Sequence, residues 1–329
     1  MTTRFGLLGA GRIGKVHARA IGSNPAAELV AVADAFEKAA KDIADAYGCA
    51  IRSIDEIEKA DDIDAVVICT PTDTHADLIE RFAKAGKAIF CEKPIHLDVE
   101  RVEKCLEVVN KTGATLMVGF NRRFDPHFAA VRKAIDDGAI GKVEQVVITS
   151  RDPGPPPLDY IGRSGGIFRD MTIHDFDMAR FLLGEEPVKV MATASVLVDK
   201  KIGEAGDFDS VSVILTTASG KQCVITNSRR ATYGYDQRIE VHGSEGMVAA
   251  ENQRPVSIEL ANGKGYTRPP LHDFFMTRYI DAYANEIASF IDAASKGTAA
   301  SPSGQDGLLA LKLADAALKS AKEGKAVQI

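Results

Sequence analysis

Little in this chain would support metal, disulfide, membrane or nucleic-acid chemistry. Its five cysteines, Cys49, Cys69, Cys91, Cys105 and Cys223, are odd in number and scattered, with no CxxC pair and no Cys/His cluster at zinc-site spacing. That excludes a disulfide-stapled scaffold, predicts no metal, and fits a reducing compartment. No apolar run approaches the roughly 20 residues that a membrane helix requires. The first strand-like run, residues 4–8, begins almost at the initiator methionine, so no signal or transit peptide is expected and the expected address is cytoplasmic. An excess of positive charge is missing too. With 40 basic against 46 acidic residues and a net charge of -6, neither nucleic acid nor an anionic membrane is an expected partner. There is no internal repeat, no low-complexity tract and no charged tail.

What remains is the balance of an ordinary globular protein, 45% apolar, 26% charged and 6% aromatic, over 329 residues. At roughly 100 to 200 residues per domain this predicts two domains and a small-molecule partner. Up to about residue 120, apolar runs at 4–9, 28–34, 64–70, 87–92 and 115–120 alternate with helical spacing. Helix starts are marked by the capping box Ser53/Glu56, a weaker pair Thr74/Asp77, and Asp98. Near-continuous apolar strands separated by helices predict an α/β domain, a doubly wound parallel sheet covered on both faces. Beyond residue 120 the rhythm changes. A helix (126–136), a strand (143–150), an irregular but ordered loop (151–166) rich in proline and a helix (171–183) precede strand-like runs at 188–198, 208–217, 221–229, 236–242, 247–251 and 256–260. Helices at 275–296 and at 304–321, the latter capped by Ser303, close the chain. The expected division is a Rossmann domain over 1–120 and an α+β domain over 121–329 with a large, mostly antiparallel sheet.

The first strand runs into Gly9-Ala10-Gly11-Arg12-Ile13-Gly14 and then a helix. Gly9 permits the tight turn, Gly11 lets backbone approach a pyrophosphate, and Gly14 lets helix and strand pack closely. Asp34 ends the second strand twenty residues past Gly14, where a carboxylate accepts from an adenosine ribose. It repels a 2′-phosphate, and neither Ala35 nor Phe36 could bind one, so the cofactor expected is NAD and not NADP.

Strands in an open α/β sheet present ligands at their carboxyl ends. There lie Cys69-Thr70-Pro71-Thr72 and Glu92-Lys93-Pro94, where the Lys93 donors can reach a substrate hydroxyl. In the second half, Asp170 and His174 are four apart, so on a helix they share one face at about one turn's separation. The pair suits proton transfer, and the pattern alone suits a buried structural histidine as well.

These segments, with Gly119-Phe120-Asn121-Arg122-Arg123-Phe124 and the run from Gly165 to Asp175, resemble the Gfo/Idh/MocA oxidoreductases over essentially the whole chain, the inositol dehydrogenases among them most closely. The resemblance implies NAD-dependent oxidation of a secondary hydroxyl on a cyclic polyol, myo-inositol above all. Kindred readings are an aldose dehydrogenase, an NAD-dependent glycosidase and a non-enzymatic NAD sensor. It implies a catalytic set of Lys93, Asp170 and His174. Cofactor contacts carried over are Thr70, Pro71, Thr72, His75 and Glu92, beside Arg12 and Ile13 of the glycine turn. Substrate contacts carried over are Lys93, Asn121, Arg122, Asp152, Asp170, Thr172, His174 and Tyr235. Strands apolar on both alternating sets, such as 190–198, suggest a second subunit on the outer sheet face, and the resemblance implies a homo-oligomer, a dimer of dimers.

Overall fold

The computed structural model describes residues 2–329. The first elements are β1 (Thr3–Leu8), α1 (Arg12–Gly22), β2 (Ala27–Ala33), α2 (Glu37–Tyr47), β3 (Ala50–Ile51), α3 (Ile54–Lys59), β4 (Ala65–Ile68), α4 (His75–Lys84), β5 (Ala88–Glu92), α5 (Val99–Thr112) and β6 (Leu116–Gly119). There follow α6 (Pro126–Asp136), β7 (Val143–Arg151), α7 (Leu158–Ser164), α8 (Gly166–Asp170), α9 (Thr172–Leu183), β8 (Pro187–Ser195), α10 (Lys200–Glu204), β9 (Ser210–Thr217) and β10 (Gln222–Ser228). The chain ends with β11 (Asp236–Gly243), β12 (Gly246–Ala250), β13 (Leu260–Asn262), β14 (Gly265–Thr267), α11 (Phe275–Arg278), α12 (Ile280–Lys296), α13 (Gly304–Glu323) and β15 (Val327–Gln328).

The molecule divides into two units. One takes the chain up to Asp125 together with Ile280–Leu311; the other takes Pro126–Tyr279 and Lys312–Ile329. The division differs from a single cut at residue 120, because α12 returns to the first unit. Its Phe290 ring lies 6.1 Å from Phe5 of β1 and 5.8 Å from Phe90 of β5, all three fully buried. Burying such a side chain contributes about 1.5–3 kcal/mol, which adjacency in sequence does not reveal.

In the first unit the strands run β3-β2-β1-β4-β5-β6, every pair parallel. The order reverses between β1 and β4, and the crevice outside the carboxyl ends there is where such sheets take ligands. All four residues of β4 and of β6 are buried, as a sheet covered on both faces requires. Ser53 and Glu56 form the expected capping box, and Asp98 caps α5 by accepting from Arg101. Thr74 does not cap α4; its hydroxyl donates to the Pro71 carbonyl and meets Thr70 at 2.6 Å.

In the second unit the sheet order is β12-β11-β7-β10-β9-β8-β15, antiparallel apart from β7 with β10. One face buries Val146, Ile148, Val213, Leu215, Cys223 and Ile225, and the other leaves Val147, Ile214 and Met247 exposed. The run at 256–260 does not join this sheet: β13 and β14 pair as a separate hairpin. The helix expected over 171–183 starts earlier and in two pieces, α8 and α9, meeting at Met171, and the loop 151–166 contains the short helix α7.

Candidate active site

The glycine turn has the geometry its sequence implies. Gly9 has φ +96°, and a Cβ there would stand 2.6 Å from the Cys69 carbonyl oxygen of the neighbouring strand end. A Cβ on Gly14 would sit 2.0 Å from the Gly9 oxygen, so helix and turn touch only because both residues are glycine. Around Gly11 a Cβ would meet nothing within 4 Å, which leaves the turn open on that side. Gly11 is the N-cap of α1 and brings no side-chain cap, so the helix start aims its backbone donors outward. Asp34 is half-buried. Its carboxylate accepts from Ala10 N at 2.6 Å and from Phe36 N at 2.7 Å, which ties the end of β2 to the glycine turn. Each oxygen keeps a further lone pair for a ribose hydroxyl. Phe36 beside it is 77% exposed.

Past β4 and β5 the two turns meet through a histidine. His75 is buried, with Nδ1 2.8 Å from the Pro94 carbonyl and Nε2 2.8 Å from the Thr70 carbonyl. Both ring nitrogens are engaged by backbone, so neither is open to hydrogen-bond the cofactor that the resemblance would place beside His75. Burial holds its pKa below the ordinary histidine value, against the pull of the two carbonyls. Glu92 is buried at the end of β5, and its Oε1 stands 2.6 Å from His17 Nε2. Lys93 follows, partly exposed. Asn121 and Arg122 lie buried in a short 3-10 turn (Asn121–Phe124). Among the described residues the Asn121 amide nitrogen has no partner, and a buried donor left unpaired costs about 1–3 kcal/mol until a ligand accepts from it. The open turn, the bare helix start and this amide fit a dinucleotide and a polar substrate.

The second unit gathers its polar groups at the carboxyl ends of β7 and β10. Asp175 is fully buried and accepts from Ser150 Oγ at 2.6 Å and from Asn227 Nδ2 at 2.8 Å, while Thr172 Oγ1 donates to Asn227 Oδ1 at 2.7 Å. This network clamps the first turn of α9 onto both strands. Thr172, expected to meet substrate, is fully buried with its hydroxyl spent on Asn227, and supports the helix instead. From Met171 to Arg180 every residue is buried except His174, which the clamped turn presents at its one open position. Its Nδ1 is buried.

Asp170 closes α8 instead of sharing a helix with His174. Tyr160 of α7 donates to its Oδ1 at 2.9 Å, and the buried Arg229 guanidinium lies 3.5 Å from Oδ2 and 3.6 Å from Asp207. Burial raises the Asp207 pKa, with the Ile167 N–H and Arg229 acting against it. A Cβ on Gly166 would stand 2.6 Å from the Asp207 carboxylate, so the chain passes that acid only as glycine. Asp152 is at the same end, its N–H donating to the Ser228 carbonyl at 2.9 Å. Tyr235 is buried, edge-on to Phe274 and Tyr279.

Sequence reasoning did not single out His17, Ser150, Tyr160, Asp175, Asn227 and Arg229. Only Asp175, adjacent to His174, carried a signal. Burial raises the Cys69 and Cys91 thiol pKa values, and that of Cys105 to about 12, so none is a thiolate near neutral pH. Among the described residues no group of three or more His, Cys, Asp or Glu could hold a metal ion, and no helix is long and apolar enough to cross a membrane.

Known proteins match both parts of the chain. Residues 3–120 match the model of an oxidoreductase family with an NAD-binding Rossmann fold, and residues 128–249 match the GFO/IDH/MocA C-terminal domain. The chain is 77% identical over 329 residues to an inositol 2-dehydrogenase of Rhizobium meliloti, covering 100% of both. It superposes on a myo-inositol dehydrogenase of Corynebacterium glutamicum with a TM-score of 0.97 at 47% identity, covering 100% of this chain and 99% of that one. A scyllo-inositol dehydrogenase of Lactobacillus casei, solved with NAD(H) and scyllo-inositol, gives a TM-score of 0.92 at 28% identity over 100% and 99% of the two chains.

Proposed function

The chain belongs to the GFO/IDH/MocA oxidoreductases, and from that premise we propose that it oxidises myo-inositol at C2 with NAD, giving the 2-keto product. The observation that carries this is full-length identity of 77% to an inositol 2-dehydrogenase, with 45% to a myo-inositol 2-dehydrogenase against 37% to a scyllo-inositol 2-dehydrogenase.

The donors at the start of α1, at Arg12, Ile13 and Gly14, would hold the pyrophosphate, and Asp34 the adenosine ribose. Thr70, Pro71, Thr72 and Glu92 would meet the nicotinamide half. When bound, NAD supplies the two-electron acceptor for the hydrogen on the substrate carbon. His174 takes the hydroxyl proton at Nε2. Asp170 orients the imidazole and offsets its charge once protonated. Lys93 Nζ donates to the reacting oxygen as negative charge develops on it. Such acid–base help is typically worth about 10² to 10⁴ in rate. Asn121, Arg122, Asp152 and Tyr235 pair with the remaining hydroxyls. A site built this way rejects an epimer strongly, because its own polar groups would be left unpaired.

Assembly and address belong to the same reading. The sheet face carrying Val147, Ile214 and Met247 meets a second copy, within a dimer of dimers. All five cysteines are free thiols, four of them buried, which suits the reducing cytoplasm.

The test is NADH formation across inositol isomers and common aldoses. Myo-inositol should give the highest kcat/KM. A faster aldose, or turnover without NADH, would overturn the assignment.

A further inference from the structure

Lysine is a poor choice for precise placement unless something else fixes it, since its stem has four carbons and carries about 2 kcal/mol of rotamer entropy. Lys93 also stands just past the hydrogen-bonded ladder, which ends where Glu92 registers with Gly119. What holds the backbone here is a pair of buried histidines acting on the two residues that flank it.

On one side is His17, from the second turn of α1. Its ring is fully buried, 4.9 Å from the Phe90 ring and 5.4 Å from Tyr283, and its Nε2 meets Glu92 Oε1 at 2.6 Å. Among the described residues Nδ1 has no partner. Orphaned buried N–H groups are rarer than under-satisfied acceptors, so the consistent tautomer is neutral, with its one N–H on Nε2 donated to an ionised Glu92. That bond is charge-assisted. The carboxylate is confined from behind as well: a Cβ on Gly119 would stand 3.0 Å from Glu92 Oε2. On the other side is His75, the first residue of α4, whose Nδ1 faces the Pro94 carbonyl and Nε2 the Thr70 carbonyl, each at 2.8 Å. A neutral ring donates to one of these carbonyls and an imidazolium to both. Either way the ring bolts the turn after β5 to the turn after β4.

We propose that His17 and His75 are positioning residues: they grip the Glu92–Lys93–Pro94 turn through the Glu92 carboxylate and the Pro94 carbonyl, and so set where the Lys93 ammonium stands. The proposal rests on the role given to Lys93 above. His17 also sits on the helix that opens at the phosphate turn, so one rigid element carries the cofactor-binding donors and the grip on the catalytic turn.

Side-chain geometry supplies the test. Gln places an amide where Nε2 of histidine stood, and Asn places one where Nδ1 stood. H17Q therefore keeps a donor for Glu92 and H17L removes it; H75N keeps the donor toward Pro94 and H75Q moves it to Thr70. Steady-state kinetics with NAD and myo-inositol, and with C2-deuterated myo-inositol, should show kcat falling about 10- to 100-fold in H17L and H75Q, the loss expected when a reacting group is misplaced by an ångström or so. KM for NAD should change little, and the deuterium isotope effect on kcat should rise as chemistry becomes limiting. H17Q and H75N should recover most of the rate. A purely structural role would lower the amount of active enzyme and leave the isotope effect untouched. If H17L does not fold, the H75N/H75Q pair decides. Wild-type kcat and isotope effect in H75Q, beside a K93A enzyme that has lost turnover, would overturn the proposal and spare the function. Full turnover in K93A would overturn the role of Lys93 itself.

Discussion

Asp34 shows how much chemistry one residue can carry. Its carboxylate braces the glycine turn through Ala10, under the proposed function it also accepts from the adenosine ribose, and neither Ala35 nor Phe36 after it is a cation that could receive a 2′-phosphate. Replacing it by serine with Ala35→Arg should move the kcat/KM ratio from NAD toward NADP by at least about 100-fold, the equivalent of losing one charge-assisted pairing and gaining another; an unchanged ratio would remove Asp34 from cofactor selection. This residue and the three glycines were legible in the sequence because spacing alone gives them a role. His17 was not, and His75 entered only through the family resemblance, as a cofactor contact and not as a grip on the turn after β5. A histidine at an apolar helical position reads as core, and only the atoms within 3 Å of its nitrogens distinguish a grip from a filler. For Thr172 the resemblance implies a substrate contact, whereas its buried hydroxyl donates to Asn227, a bond that only the folded chain reveals.

At the scale of elements, continuous apolar runs announced the parallel strands, whereas β3, two exposed residues, left no pattern to read. The break between α8 and α9 was hidden for a different reason. Met171 keeps helical-region dihedrals, φ -97° and ψ -59°, so nothing in its sequence neighbourhood signals a stop. The end of the second sheet depends on one buried acid. Asp236 opens β11 and accepts from Tyr233, from Arg238 at 2.8 Å and from Asn252 at 2.6 Å, with Arg151 of β7 at 3.3 Å. Burial pushes its pKa up, and the hydrogen bonds from Arg238, Tyr233 and Asn252 more than reverse that, leaving it below the ordinary value. A carboxylate with a depressed folded-state pKa contributes stability above its unfolded value, about 3.9, and loses it as the pH falls through the folded value. Asp236→Asn should therefore cost about 3 kcal/mol in urea unfolding at pH 7, as breaking a buried pair does. The gap from wild type should narrow below about pH 4. A gap that stays constant down to pH 3.5 would contradict this account of the sheet end.

At the scale of the molecule, the proposed function divides its chemistry between the two units. The first holds cofactor and Lys93; the second holds His174 on a clamped turn. The division was legible as a change of rhythm near residue 120, but the return of α12 to the first unit was not, because Phe290 meets Phe5 and Phe90 only after folding. Exposed Val147, Ile214 and Met247 on one sheet face predict assembly. Sedimentation at micromolar concentration should give a tetramer of the 35.2 kDa chain, and a monomer would refute the assembly. The central claim, hydride removal from C2 of myo-inositol, is tested most directly by following a label. With C2-deuterated myo-inositol and NAD, mass spectrometry of the reduced cofactor should show one deuterium in every molecule formed. Unlabelled NADH, or labelled substrate consumed with no reduced cofactor, would contradict it.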